Sequence, residues 1–264
     1  MLLFCSSSIS FDSNMDIDIS LNKNNMEDLL VMLSGFNKES TDSSFEKIAK
    51  TLFGDYHIQK GTKTYELMEI EFYLFSERHK DIITYPRKND KAGMWFFHMS
   101  GVDITFGTTD KNVYGGILIR SIIRTDEDEI YPISGPMKCV EELFDYIHAV
   151  DGDVKNDIPR IVKNAKDYNK KAPYVNIEKA MKYIPRFIPF RLKKNENIEG
   201  KIESKLSDLI RRREVPLNIS EFKDFLKAKY RYYIESDEKY WSCKYSACPL
   251  ESTRGSNDNK YLYL

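Results

Sequence analysis

From Tyr65 to Phe75 the chain alternates. Met68, Ile70, Phe72 and Leu74 take one set of positions, and Glu69, Glu71 and Tyr73 the other. A period of two predicts a strand with one apolar and one polar face. Upstream, Phe45, Ile48, Ala49, Leu52 and Phe53 recur at helical spacing behind Ser43-Ser44, which serve as a cap, and Gly54 ends the helix. Downstream, Trp95 to His98, Val102 to Phe106 and Gly116 to Ile123 are rich in β-formers and separated by Gly or polar turns. Pro136 opens a helix whose Val140, Leu143, Phe144 and Ile147 share a face. Beyond Asp151 the pattern turns helical. Ile202, Leu206, Leu209 and Ile210 mark one helix, and Asn218 followed by Glu221 predicts a capping box for another running through Tyr232.

These elements predict an α+β protein: a mixed or antiparallel β-rich core with flanking helices and a helical C-terminal extension. The expected layout is a poorly ordered leader over 1–40 (with Met15 and Met26 as alternative starts), the core domain over 41–194, the extension over 195–251 and a loose tail over 252–264. The chain has 264 residues, 41% hydrophobic and 31% charged, as a soluble globular protein with one sizeable core does. No apolar run approaches the roughly 18 residues of a membrane span, so no membrane partner is expected. A formal net charge of −1 excludes a chain-wide electrostatic grip on nucleic acid. Charge is nonetheless uneven. Between Lys155 and Lys194 twelve Lys and Arg face only Asp157, Asp167 and Glu178, whereas Asp126-Glu127-Asp128-Glu129 is acidic. Such a basic stretch is a solvated face unless it shares a side with the site.

Cys5, Cys139, Cys243 and Cys248 are too scattered for a disulfide framework, and Cys243 and Cys248 lack a CxxC pairing or a nearby His. A reducing, intracellular setting follows, cytoplasmic or, in a eukaryote, nuclear. Met1 to Ser13 has no positively charged start of the secretory kind. Neither GxGxxG, GxxxxGK nor GxSxG is present, and no His/Cys spacing suits a metal. No cofactor and no metal are expected.

Candidate chemistry begins with the polar face of the acidic strand. Glu69 and Glu71 side by side repel, which raises one carboxyl toward the range of a general base. The same alternation more often describes a plain solvent-facing edge, so the pattern alone proves nothing catalytic. His79 lies in Glu77-Arg78-His79-Lys80-Asp81, and His98 in Trp95-Phe96-Phe97-His98. A histidine among aromatics is more often a core residue bonded to backbone than a catalyst. His57 and His148 have less context still.

Order along the chain adds a resemblance. Ala49-x-x-Leu52-Phe53-Gly54, then Glu69-Ile70-Glu71-Phe72-Tyr73-Leu74 and a following histidine, is similar to the alkyladenine (3-methyladenine) DNA glycosylase family. Gly93-Met94-Trp95-Phe96-Phe97-His98-Met99-Ser100-Gly101 resembles its aromatic hairpin, Gly116-Ile117-Leu118-Ile119-Arg120 its Arg-ending strand, and Ser134-Gly135-Pro136-Met137-Lys138 its Gly-Pro-x-Lys helix start. The likeness covers roughly residues 45 to 145. Trp95-x-Phe97-His98 and Asp103-Ile104-Thr105-Phe106-Gly107 look closer to an uncharacterised branch of that fold.

The resemblance implies a barrel-type sheet and a metal-independent, monofunctional DNA N-glycosylase acting in base excision repair. Glu71 falls on the general base that activates water, and Arg120 on a strand arginine beside that water and the DNA backbone. Tyr73 falls on an aromatic that stacks on the flipped base, in a pocket shared with Trp95, His98 and Asp103, and His79 stands nearest the family's pocket histidine. Met99, Ser100 and Lys138 fall where DNA is contacted, Lys138 at a helix start suited to phosphate. Four positions depart. His98 and Asp103 stand where the family has apolar or aromatic residues. Ser100 stands where the family has its intercalating tyrosine, leaving Met99 as the apolar wedge, and Gly107 aligns near its pocket asparagine. Two other readings stay open: a catalytically inactive glycosylase-like protein that binds nucleic acid or a nucleotide, and an enzyme on another small substrate with His98 and Asp103 as an acid/base pair.

Overall fold

The alternating segment forms the strand around which the sheet is assembled. The computed structural model describes residues 23–34, 41–86, 91–108, 113–126, 131–145, 154–168, 180–186, 188–193, 196–235 and 259–263. In chain order, α1 (Lys23–Ser34) and α2 (Thr41–Asp55) precede β1 (Tyr56–Lys60), β2 (Lys63–Ser76), β3 (His79–Lys80), β4 (Trp95–His98), β5 (Gly101–Thr108), β6 (Val113–Arg124) and β7 (Tyr131–Ser134). Then come α3 (Pro136–Leu143), α4 (Val154–Asp157), β8 (Arg160–Lys163), β9 (Met181–Ile184), β10 (Pro189–Lys193), α5 (Ile198–Arg213), α6 (Ile219–Lys227), β11 (Arg231–Ile234) and β12 (Asn259–Tyr263).

Ten strands make one curled, antiparallel half-barrel sheet in the order β4-β5-β6-β2-β1-β8, with β7 on β6, β3 and β11 on β2, and β9 on β11. One edge of β2 pairs with β6 from Tyr65 to Phe75. Its other edge is divided among β1 near Lys63–Tyr65, β11 at Glu69–Glu71 and β3 at Phe75–Ser76. β10 and β12 form a separate two-stranded ribbon.

The apolar face of β2 packs on α2. Phe45 stacks on Phe72 at 4.5 Å between centroids and meets Tyr230 edge-on at 4.9 Å. A fully buried side chain of this size contributes about 1.5–3 kcal/mol. α2 buries Phe45, Ile48, Ala49, Leu52 and Phe53, so packing rather than helix propensity holds it. Phe106 requires a glycine opposite it: a Cβ on Gly115 would lie 2.3 Å from its ring. A second, smaller core joins α5, α6 and β10 through Phe190, Ile202, Leu206, Phe222 and Leu226, with Ile82 reaching in from beyond β3.

Several expectations change. The segment read as a leader contains α1, whose Leu29 and Leu33 are fully buried in the main core. Thr41 rather than Ser43 begins α2, and the helix runs one residue past Gly54 to Asp55. The Asn218–Glu221 capping box is present, with each partner bonded to the other's backbone. Its helix ends at Lys227, however, because Tyr230, Tyr232 and Ile234 alternate with Arg231 and Tyr233 and continue as β11. β8, β9 and β11 all belong to the main sheet, so the chain beyond Asp151 is not simply helical, and the core domain does not close at 194. Part of the expected tail is β12. Ile147, His148, Cys5, Cys243, Cys248, Glu127-Asp128-Glu129 and positions 169–179 of the basic stretch lie outside the described residues. No helix among the described residues is long and apolar enough to cross a membrane.

Candidate active site on the acidic strand

The polar face of β2 is not a solvent edge. Glu69 is 2% exposed and Glu71 0%, with Arg231 against Glu69 and Arg186 over the neighbouring Tyr73. Burial of two carboxylates demands compensation. Arg120 supplies it from β6: its Nε donates to Glu69 Oε1 at 3.1 Å and its Nη1 to Glu71 Oε2 at 2.8 Å. Arg231 on β11 donates from Nε to the same Glu69 oxygen, and Ser121 Oγ donates to Glu69 Oε2 at 3.1 Å. Two guanidiniums thus face two carboxylates.

Repulsion within the pair is expected to raise one carboxyl; Glu69 moves the other way. Desolvation does push Glu69 up, but Arg120 and Arg231 outweigh it and hold Glu69 below the ordinary carboxylate range. Burial likewise opposes the charge on Arg120, and Glu71 and Glu69 more than offset it, so its pKa is raised.

Register places further predicted residues beside this cluster. Glu71, Leu118 and Asp103 lie in one row across β2, β6 and β5. The next row is Tyr73, Gly116 and Thr105, with no side chain at its centre. Tyr73 lies under the Arg186 guanidinium, 4.9 Å from ring centroid to carbon. Burial first, then the nearby Glu71 charge, raises its phenol pKa. His98 Nε2 donates to the buried Asp103 at 3.0 Å while its Nδ1 accepts from the Ser100 N–H at 3.2 Å. With both ring nitrogens engaged, His98 is held in one orientation against Asp103.

Other predicted residues fall elsewhere. Trp95 is on the opposite face, its indole N–H donating to the Pro159 carbonyl at 2.8 Å and its ring edge-on to Phe144. Strand alternation explains the correction: Trp95 and Phe97 share a face, Phe96 and His98 the other. Phe96, with Tyr85, is therefore the aromatic beside His98, at 6.1 Å and 5.1 Å respectively. His79 does not touch Glu71. Its Nδ1–H donates to the Leu74 carbonyl at 3.0 Å and its Nε2 accepts from the Tyr230 hydroxyl at 2.9 Å. Met99 and Ser100 form the exposed tip of the β4–β5 hairpin, and Lys138 is exposed in the first turn of α3. Gly101 joins the two features: its φ is +148°, and a Cβ there would lie 2.8 Å from both Leu118 Cδ1 and Pro136 Cβ. The hairpin tip is seated against the start of α3.

Sequence reasoning missed Arg231 and Arg186. The alternation of Tyr230 to Ile234 was a usable strand signal for the first. Arg186 had none. It sits where β2 has neither β11 nor β3 beside it, donating to the Phe72 carbonyl at 3.4 Å, the Phe225 carbonyl at 2.6 Å and the buried Asp81 carboxylate at 2.5 Å. Among the described residues no group of three or more His, Cys, Asp or Glu side chains is placed to hold a metal ion.

No protein-family model matches the chain. Over 124 residues it is 32% identical to an uncharacterised protein of Acanthamoeba polyphaga mimivirus, covering 38% of this chain and 56% of that protein. The chain thus spans little more than half the length of that relative.

Proposed function

We propose that the β2 face carries a DNA N-glycosylase site in which Glu71 activates water against C1′ of a modified purine nucleotide. The supporting observation is the placement of Glu71, Arg120, Tyr73 and Asp103 on one sheet face, next to a hairpin tip whose Met99 is 94% exposed. In the reaction Glu71 takes a proton as the water oxygen bonds to C1′. The C1′–N bond breaks, and its electron pair leaves with the base, which a positive alkylated purine accepts to become neutral. Arg120 fixes the carboxylate, Tyr73 offers an aromatic surface to the extruded base, and Met99 is the apolar group at the duplex. Exposed Lys138 at the start of α3 contacts phosphate.

One observation favours binding without turnover. Glu71 is fully buried and its Oε2 is committed to Arg120, an arrangement that suits a fixed acceptor better than a base in contact with water. Base release from duplexes carrying alkylated, deaminated or oxidised purines separates the readings. The proposed enzyme releases base, and Glu71→Gln loses about 10²–10⁴-fold of the rate. Release that persists undiminished in Glu71→Gln would falsify the mechanism. DNA binding with no release on any of these substrates would favour the binding protein.

A further inference from the structure

A cavity of about 560 Å³ opens between α5 and β10, in the smaller core rather than on the main sheet. Its volume lies within the range of small-molecule sites. One face of α5 supplies most of the wall: Lys201, Lys205, Asp208 and Arg211 recur at three- and four-residue spacing, with Ser204 and Ser207 beside them. Arg191 joins from β10. Four cationic side chains therefore face one carboxylate.

The pairing within that wall is uneven. Asp208 is engaged by Arg211 at 2.5 Å and also by Arg212. Lys201 lies 3.1 Å from Glu196. Lys205 differs: its ammonium sits 4.8 Å over the Phe190 ring, and among the described residues no carboxylate pairs with it. Burial lowers its pKa with no acidic neighbour to offset the effect. A half-buried ammonium held against an aromatic floor, with hydroxyls alongside, is costly when empty and is compensated by a bound anion. A phosphate group, carrying about −1.5 to −2 charges and three acceptor oxygens, matches both the excess of cations and the hydroxyl donors.

We propose that the α5–β10 cavity is a binding site for a phosphate-bearing ligand, with Lys205 as its central cation. The site stands independently of the chemistry at Glu71. It gives the helical extension a role that the sheet does not supply.

Thermal unfolding and calorimetric titration of the full chain test this with inorganic phosphate, adenosine monophosphate, adenosine and a short DNA duplex. Phosphate and the monophosphate raise the melting temperature and adenosine does not. Lys205→Met keeps the packing over Phe190 and removes the buried charge, so the unliganded protein melts no lower than wild type. The same variant weakens the phosphate probes about ten-fold or more, as loss of a charge-assisted hydrogen bond does. Arg211→Gln, at an exposed position, weakens them too without unfolding the chain. A duplex that displaces the monophosphate from wild type identifies the DNA backbone as the source of the phosphate; a duplex that does not identifies a small organic phosphate. Glu71→Gln leaves phosphate binding unchanged. The proposal is overturned if neither phosphate probe protects wild type, if protection survives in both Lys205→Met and Arg211→Gln, or if adenosine protects as well as its monophosphate.

Discussion

Arg120 reaches Glu71 from a position on β6 that the β2 register skips. On β6, Ile119 pairs with Ile70 and Ser121 pairs with Glu69, so Arg120 is the extra residue of a β-bulge. A bulge lets two consecutive residues address one face, and here both Arg120 and Ser121 bond to the carboxylates of β2. The local irregularity gives Glu69 two donors from β6, beside Arg231 from β11.

That geometry makes Arg120 the structural partner of two buried acids. Arg120→Met leaves Glu71 without its Arg120 bond and Glu69 with Arg231 and the Ser121 hydroxyl. Breaking a buried pair in this way costs about 3–5 kcal/mol. Urea unfolding monitored by tryptophan fluorescence measures it, and a loss below about 1 kcal/mol would mean that solvent reaches the pair freely.

Asp81 and Arg186 are both 0% exposed in their side chains, and Arg186 also closes the unpaired stretch of β2. Arg186→Met strands the Asp81 charge and destabilises by about 3–5 kcal/mol, whereas the double variant Arg186→Met/Asp81→Leu recovers much of that. The Phe72 and Phe225 carbonyls still lose a donor, so recovery is incomplete. A double-mutant cycle in denaturant reads the difference directly.

Acid stability follows from His79 and Glu69. Burial lowers the His79 pKa below its ordinary 6.5, and its hydrogen bonds require the neutral ring. Between the folded and unfolded pKa the unfolded chain binds more protons, so stability rises with pH there. The contribution is complete above about pH 6.5 and is lost as pH falls through the depressed folded value. Glu69, also depressed, adds a second loss at lower pH, below its ordinary 4.5. Melting temperature followed from pH 7 to pH 5 declines in wild type. His79→Gln shows a flatter profile over the same interval; an unchanged slope removes His79 as the cause.

Gly115→Ala tests the fit beneath β5. The added methyl meets the Phe106 ring at 2.3 Å, and overpacking of this kind costs about 1–3 kcal/mol. Phe106→Leu in the same chain relieves the clash, so the double variant is more stable than the sum of the single losses predicts. Additive losses would show that the ring moves aside without strain.

The amino-acid pattern by itself determined the elements whose burial repeats locally: α2, the alternating β2, the Pro136 helix and the Asn218–Glu221 cap. Each depends on neighbours within about one turn or one pleat. It also placed Glu71, Tyr73, Asp103 and Arg120 in strands, which suffices to put Glu71 and Tyr73 on one face. Tertiary structure alone decided that this face is buried, because the covering residues, Arg231 and Arg186, come from more than a hundred positions away along the sequence. It decided also that Trp95 turns away while Phe96 turns in, a matter of register that a one-residue shift would invert. The bulge at Arg120 and the gap filled by Arg186 leave no mark in local periodicity, since each is set by which residues of distant strands come to lie opposite β2. For the same reason the acidic strand reads as an open edge in one dimension and becomes a neutralised, buried cluster in three.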